Sequence, residues 1–109
     1  MSSGEDSVFR ALADGRRRRI LDLLRERERT TGELCALFPD LDRCTVMQHL
    51  GVLERADLVI VRRDGRLRWN YLNPLPIKAI HDRWISSYAS AAVKLLGRLK
   101  KDMEKEGDA

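Results

Sequence analysis

The sequence has no apolar stretch approaching the roughly 18 residues of a membrane-spanning helix; the run Leu58-Val59-Ile60-Val61 is only four residues long. Its two cysteines, Cys35 and Cys44, lie nine positions apart and make neither a CxxC pair nor a disulfide framework. Such usage suits a reducing compartment. The polar start Met1-Ser-Ser-Gly-Glu-Asp-Ser lacks the charged-then-apolar order of a secretion signal, so a cytoplasmic protein without a membrane partner is expected. No Ser/His/Asp set, Gly-rich phosphate loop or metal-ligand cluster stands out, so the reading is of a non-enzyme with no cofactor and no metal site. At 109 residues the chain has the size of one small domain, 1–109, not of an enzyme with separate cofactor and substrate lobes.

What is abundant is arginine, which makes up 16 of the 21 basic residues against 17 acids, for a net charge of +4. The excess is densest in residues 59–73, where Arg62, Arg63, Arg66 and Arg68 face one acid, Asp64. Guanidinium groups fork onto phosphate oxygens, so the expected partner is a polyanion.

Val8, Phe9 and Leu12, then Ile20, Leu23 and Leu24, recur at helical spacing and predict two helices broken near Asp14-Gly15. The alternating run Arg25 to Arg29 reads as a solvated helix end. Thr30 or Thr31 opens a short helix over 32–38, which Pro39 stops. Asp42 is the expected N-cap of a fourth helix, with Val46, Leu50 and Leu53 as its inward stripe. Two short helices joined tightly, the second amphipathic, outline a helix-turn-helix. At 100° per residue that stripe turns Cys44, Gln48, Gly51 and Arg55 outward, with Thr45 and Met47 on the shoulders. Such a face, small at its start, suits entry into a major groove, where Gln48 can pair with an adenine edge and Arg43 can reach a guanine or phosphate.

Asp64-Gly65 between two strand-like runs predicts a hairpin over 58–72 with those two residues as its loop. In that register Arg63 lies opposite Arg66, Ile60 opposite Trp69 and Leu58 opposite Tyr71. One face is then apolar and inward, and the other carries Arg63, Arg66 and Arg68, like charges that either splay into solvent or are kept for an anion. A last helix over 77–104 carries Ile80, Trp84, Tyr88, Ala91, Leu95, Leu99 and Met103 at spacings of four and three. Its apolar surface exceeds what one small domain covers, so Trp84, Tyr88, Ala91, Leu95 and Leu99, with Val8 and Leu12 of the first helix, are expected to form a dimer interface. The chain ends, 1–6 and 105–109, are expected to be disordered, leaving a core over 7–76.

This order, mainly α with a β-hairpin wing (ααααβ-hairpin-α, dimeric), describes a winged helix-turn-helix. The segments Phe9 to Leu24, Gly32-Glu-Leu34, Val46 to Leu53, Ala56-Asp-Leu-Val59 and Arg62-Arg-Asp-Gly-Arg66 together resemble the ArsR/SmtB family of bacterial winged-helix repressors, over roughly residues 8–104. The resemblance implies a homodimer binding an inverted-repeat DNA operator, with contacts at Arg43, Cys44, Thr45, Met47 and Gln48 and a wing of Arg63, Arg66 and Arg68. Such a protein is nucleoid-associated when bound to DNA. Met47 departs from the family's common Ser, Cys44 from Ser or Pro, and Gly51 from a frequent Lys, which alters the base sequence read. The resemblance is to the branch without the known metal ligands. Glu33-Leu34-Cys35-Ala36-Leu37 keeps one thiolate of the arsenic-type site, and no His follows His81 for the zinc type. Cys35 is expected to be buried and inert. Two alternatives stand beside the repressor: a winged-helix module for protein contact, and a repressor relieved by oxidation of Cys44 on the DNA-facing side. The sequence indicates no effector.

Overall fold

In the computed structural model, which describes residues 4–107, the break at Asp14-Gly15 separates helix α1 (Gly4–Leu12) from helix α2 (Gly15–Glu26). Asp14 caps α2 by accepting the Arg16 amide at 2.7 Å. That hydrogen bond is the main reason its carboxyl titrates below the ordinary value. The arginines behind it close the preceding helix. Arg17 donates from Nε to Ala11 O at 2.7 Å and from Nη2 to Arg10 O at 3.1 Å, and Arg18 reaches Leu12 O at 2.6 Å. Two guanidinium groups thus satisfy the last carbonyls of α1, where the helix dipole also favours cations. The expected disorder up to Asp6 is replaced by α1 from Gly4 onward, and a helix persists to Gly107; residues 1–3 and 108–109 lie outside the described residues.

Arg25 to Arg29 is more than a solvated helix end. Arg29–Thr30 forms a two-residue strand, β1, which pairs with β3 (Leu67–Leu72), itself paired with β2 (Val59–Asp64). The sheet order is β1-β3-β2, antiparallel throughout. A strand of two residues has no period to read in sequence. Arg29 is anchored at both ends: its Nε donates to Leu23 O at 3.2 Å and its Nη2 meets Glu26 Oε2 at 2.9 Å.

Helix α3 (Thr31–Leu37) is capped by Thr30, whose hydroxyl accepts the Glu33 amide at 3.1 Å. Helix α4 (Arg43–Arg55) is capped by Asp42, which accepts the Thr45 amide at 2.7 Å. Val46, Leu50 and Leu53 are fully buried with Ile20, Leu34 and Leu58. Helix α1 packs on α2 and α4 through Val8 and Ala11. Val8, expected at a dimer surface, is therefore core at 3% exposure; Phe9, at 46%, carries the open apolar surface of α1, with Leu12 part-buried. Cys35, expected to be buried, is part-exposed on α3.

After α4 the chain turns through Asp57, whose φ of 60° is left-handed. The turn closes with Asp57 N to Glu54 O at 3.0 Å and Leu58 N to Leu53 O at 2.9 Å. An aspartate tolerates this region at a cost that glycine avoids. Asp57→Gly is expected to raise stability by about 0.5–1 kcal/mol, read as a higher urea midpoint; an unchanged or lower midpoint would contradict it.

The hairpin turns one residue later than expected and presents its other face to the core. Asp64 pairs with Leu67, so the loop is Gly65-Arg66, with only Gly65 at positive φ, 59°. Glycine at the first loop position is the type II′ arrangement, which relieves Asp64 of a left-handed conformation. In this register Ile60 faces Tyr71, Arg62 faces Trp69 and Arg63 faces Arg68. Val59 and Asn70 are buried, with Val61 and Leu72 part-buried on the same side, while Ile60 is 53% exposed. The strip of Ile60, Trp69 and Tyr71, expected inward, is the outward one. The run Leu58 to Val61 is apolar on both faces, so alternation cannot choose between them. On the buried face, Asn70 Nδ2 donates to Arg29 O and Thr31 Oγ1 at 3.2 Å each and to Arg68 O at 3.4 Å, while its Oδ1 is buried without a partner among the described residues. All of these partners lie within the sheet and the start of α3.

The chain divides into two units between Ile77 and Lys78. Helix α5 (Leu75–Ile80) begins two residues before the expected start, because Pro76 falls in its first turn, where no intrahelical amide is needed. In the second unit a π-helical turn, His81–Ile85, precedes α6 (Ser86–Gly107). Spacings of four drift about 40° per step around an α-helix. The wider π turn takes back much of that drift. Trp84 and Tyr88 stack at 4.9 Å with planes 15° apart, and Leu95, Leu99 and Met103 continue an exposed apolar stripe.

Candidate nucleic-acid interface

The first turns of α4 are held by Asp42. The Thr45 amide is the leading cause of its lowered carboxyl pKa, followed by the Thr45 hydroxyl. An ionised cap leaves the backbone start of α4 satisfied while its side chains stay free. Arg43, Cys44 and Gln48 are exposed, and Thr45 and Met47 are part-buried on the flanks. Further along, Arg55 lies back over Gly51: a Cβ there would stand 3.2 Å from Arg55 Nη1. A depression of about 410 Å³ results, lined by Arg17, Met47, Gln48, His49, Gly51, Val52 and Arg55.

His49 is 9% exposed, on the side of α4 that meets α2. Its Nδ1 lies 3.3 Å from Arg17 Nη1. A guanidinium can only donate, so Nδ1 accepts and the proton sits on Nε2, which is buried without a partner. Burial is the main reason its pKa is lowered; Asp14 opposes the shift, and Arg17 and Arg16 reinforce it. Protonation would therefore break the bond to Arg17 and place two cations together. Since the unfolded chain binds the proton more readily, stability is full above the ordinary value of 6.5 and falls as pH drops toward the lowered folded value. A His49→Gln variant is expected to lose that dependence in denaturation series between pH 7 and 5; an unchanged slope would contradict the assignment.

On the wing, Arg66 stands in the loop and Arg62 and Arg63 are exposed on β2, and none of the three forms an ion pair among the described residues. Arg68 is different. Its Nη2 meets Glu54 Oε2 of α4 at 2.8 Å, and its side chain is only 16% exposed. Arg62, Arg63 and Arg66 are thus exposed on the wing, whereas Arg68 is turned inward. Arg68 and Glu54 are 14 positions apart, and no local signal connects them. Among the described residues no group of three or more His, Cys, Asp or Glu is placed to hold a metal, and no helix is long and apolar enough to cross a membrane.

A helix-turn-helix domain family matches residues 12–62. The HTH-type transcriptional regulator YuzN of Bacillus subtilis is 41% identical over 91 residues, covering 78% of this chain and 99% of that protein. The transcriptional repressor SdpR of the same organism is 32% identical over 68 residues, 62% of this chain and 74% of its own. Among solved structures, that of an ArsR family transcriptional regulator superposes with a TM-score of 0.74 at 27% identity, over 82% of this chain and 96% of that one.

Proposed function

This chain belongs to the ArsR family of winged-helix transcriptional regulators, and on that premise we propose that it is a homodimeric repressor of a palindromic operator. It is a DNA-binding regulator and not an enzyme. The observation that carries the finer reading is the start of α4, where Arg43, Cys44 and Gln48 stand exposed around a satisfied helix end. Gln48 reads an adenine edge and Arg43 a guanine or phosphate, with Thr45 and Met47 against the groove wall. Arg62, Arg63 and Arg66 take phosphates on the flank. The exposed apolar stripe of α6 supports pairing with a second copy, which sets two recognition helices about 34 Å apart on the two halves of an inverted repeat. Bound there, in the cytoplasm and associated with the nucleoid, the dimer blocks promoter access. SdpR, a repressor by name, supports that direction of control.

The test is selection of bound duplexes from a random pool at physiological salt, read together with mass in solution. An inverted repeat recovered by a dimer is the expected result; no enrichment by folded protein would overturn the reading in favour of a protein-contact module. On the selected operator, Arg66→Ala should weaken binding to all duplexes alike and flatten the salt slope by about one unit. Gln48→Ala should instead change which bases are preferred. Equal losses from both on every duplex would contradict this division. The exposed thiol of Cys44 supports a second reading, relief of repression by oxidation. It is overturned if Cys44→Ser responds to peroxide as the native chain does.

A further inference from the structure

Arg68 lies in the arginine-rich wing, yet almost all of its side chain is withdrawn from solvent. Its Nη2 is 2.8 Å from Glu54 Oε2, its side chain is 16% exposed against 47% for Glu54, and its Nε is buried without a partner. Reaching a phosphate would require breaking the ion pair and drawing a covered side chain outward. Arg63 stands directly opposite Arg68 in the sheet, an arrangement of like charges that is unfavourable unless something neutralises it. Glu54 supplies that charge from the penultimate residue of α4. The pair therefore joins the end of the helix that reads DNA to the strand that carries the wing tip, two residues beyond Arg66.

We propose that Arg68 and Glu54 form a strut that fixes the wing relative to α4, which makes Arg68 a positioning residue and not a phosphate contact; the proposal rests on the DNA-binding reading above. Two elements that must engage one duplex together bind more tightly when their relative placement is set beforehand, because less freedom is lost on association. The strut predicts a result of unusual sign. Removing an acid beside a DNA-binding surface ordinarily strengthens binding by relieving repulsion of the phosphates. Here the loss of Glu54 weakens it.

The experiment measures affinity for the selected operator as a function of salt for the native chain, Glu54→Ala, Arg68→Met and the double variant. Each single variant is expected to bind about three- to tenfold more weakly, the double no more weakly than either single. The salt slope stays that of the native chain, because no phosphate contact has been removed. Tighter binding by Glu54→Ala, or a slope lowered by about one unit in Arg68→Met, overturns the strut and makes Arg68 a phosphate contact that Glu54 restrains. Affinities equal to the native value overturn it too. Native protein that binds no duplex removes the reading underneath, an outcome separate from the others because the native chain is measured first. Alanine is a good helix former at an exposed site such as 54, and urea denaturation of each variant separates weaker binding from loss of fold. Where a variant does melt early, the exchanged pair E54R/R68E decides: binding recovered above both reversed single variants supports the strut, and no recovery overturns it.

Discussion

Leu95→Glu in α6 is expected to run at monomer mass in sedimentation velocity and to bind the selected operator roughly 10²–10⁴-fold more weakly than the native chain. Trp84 is 42% exposed, Tyr88 63%, Leu95 54% and Leu99 48%, all along the stripe of the second unit. Withdrawing such surface from water contributes about 25 cal/mol per Å². A carboxylate in the middle of the stripe would have to be desolvated without a partner, which costs several kcal/mol, roughly, and outweighs the gain from its neighbours. The loss of DNA affinity follows from the same step. A dimer binds its second half-site as an intramolecular event, and a monomer forfeits that advantage. Ser90→Glu, which adds the same charge to the same helix away from the stripe, should remain dimeric. Leu95→Glu still at dimer mass would remove α6 from the interface.

The largest effect on stability is expected at Asn70. Asn70→Ala should cost about 2–3 kcal/mol, a substantial part of the 5–15 kcal/mol, roughly, that holds a domain together. The side chain is fully buried, and its one amide nitrogen serves Arg29 O, Thr31 Oγ1 and Arg68 O. Its loss strips partners from β1 and from the first residue of α3, and leaves a void where a core needs contact. Asn70→Asp should be worse, because it replaces the donor with a buried charge beside carbonyl oxygens. Urea denaturation is expected to rank the native chain above Asn70→Ala and Asn70→Asp last. An alanine variant within about 0.5 kcal/mol of the native chain would show that β1 is held by the ladder alone.

The parts of the candidate site that could be read from sequence are those whose causes are local. Asp42 and Thr30 cap the amides three residues on, and Asp14 caps the amide two residues on; these bonds are formed between neighbours and need no fold to specify them. With the cap fixed and Val46, Leu50 and Leu53 facing inward, helical geometry leaves Cys44 and Gln48 outward. The acceptors of Arg17 and Arg18 were hidden, since an arginine run does not say whether its partners are phosphates, water or the carbonyls of the preceding helix. The strut between Arg68 and Glu54 and the contact of Arg17 with His49 join residues 14 and 32 positions apart. Neither leaves a periodic trace.

The hairpin marks the line between the two kinds of knowledge. Sequence by itself determined that a hairpin follows α4, because Asp-Gly between two strand-like runs has few other uses. It also determined the family, the helix order and the exposed start of α4. Only the tertiary structure decided which face of the hairpin is inside. Leu58 to Val61 offers apolar side chains to both sides, and a shift of the loop by one residue at Gly65 changes every pairing without changing the pattern. Asn70 lies on the buried face, bonded to β1 and α3, and Arg68, two residues before it in the same strand, meets Glu54. Local bonding writes caps and periods into the sequence, whereas the sharing of one buried donor among distant strands exists only once they have met.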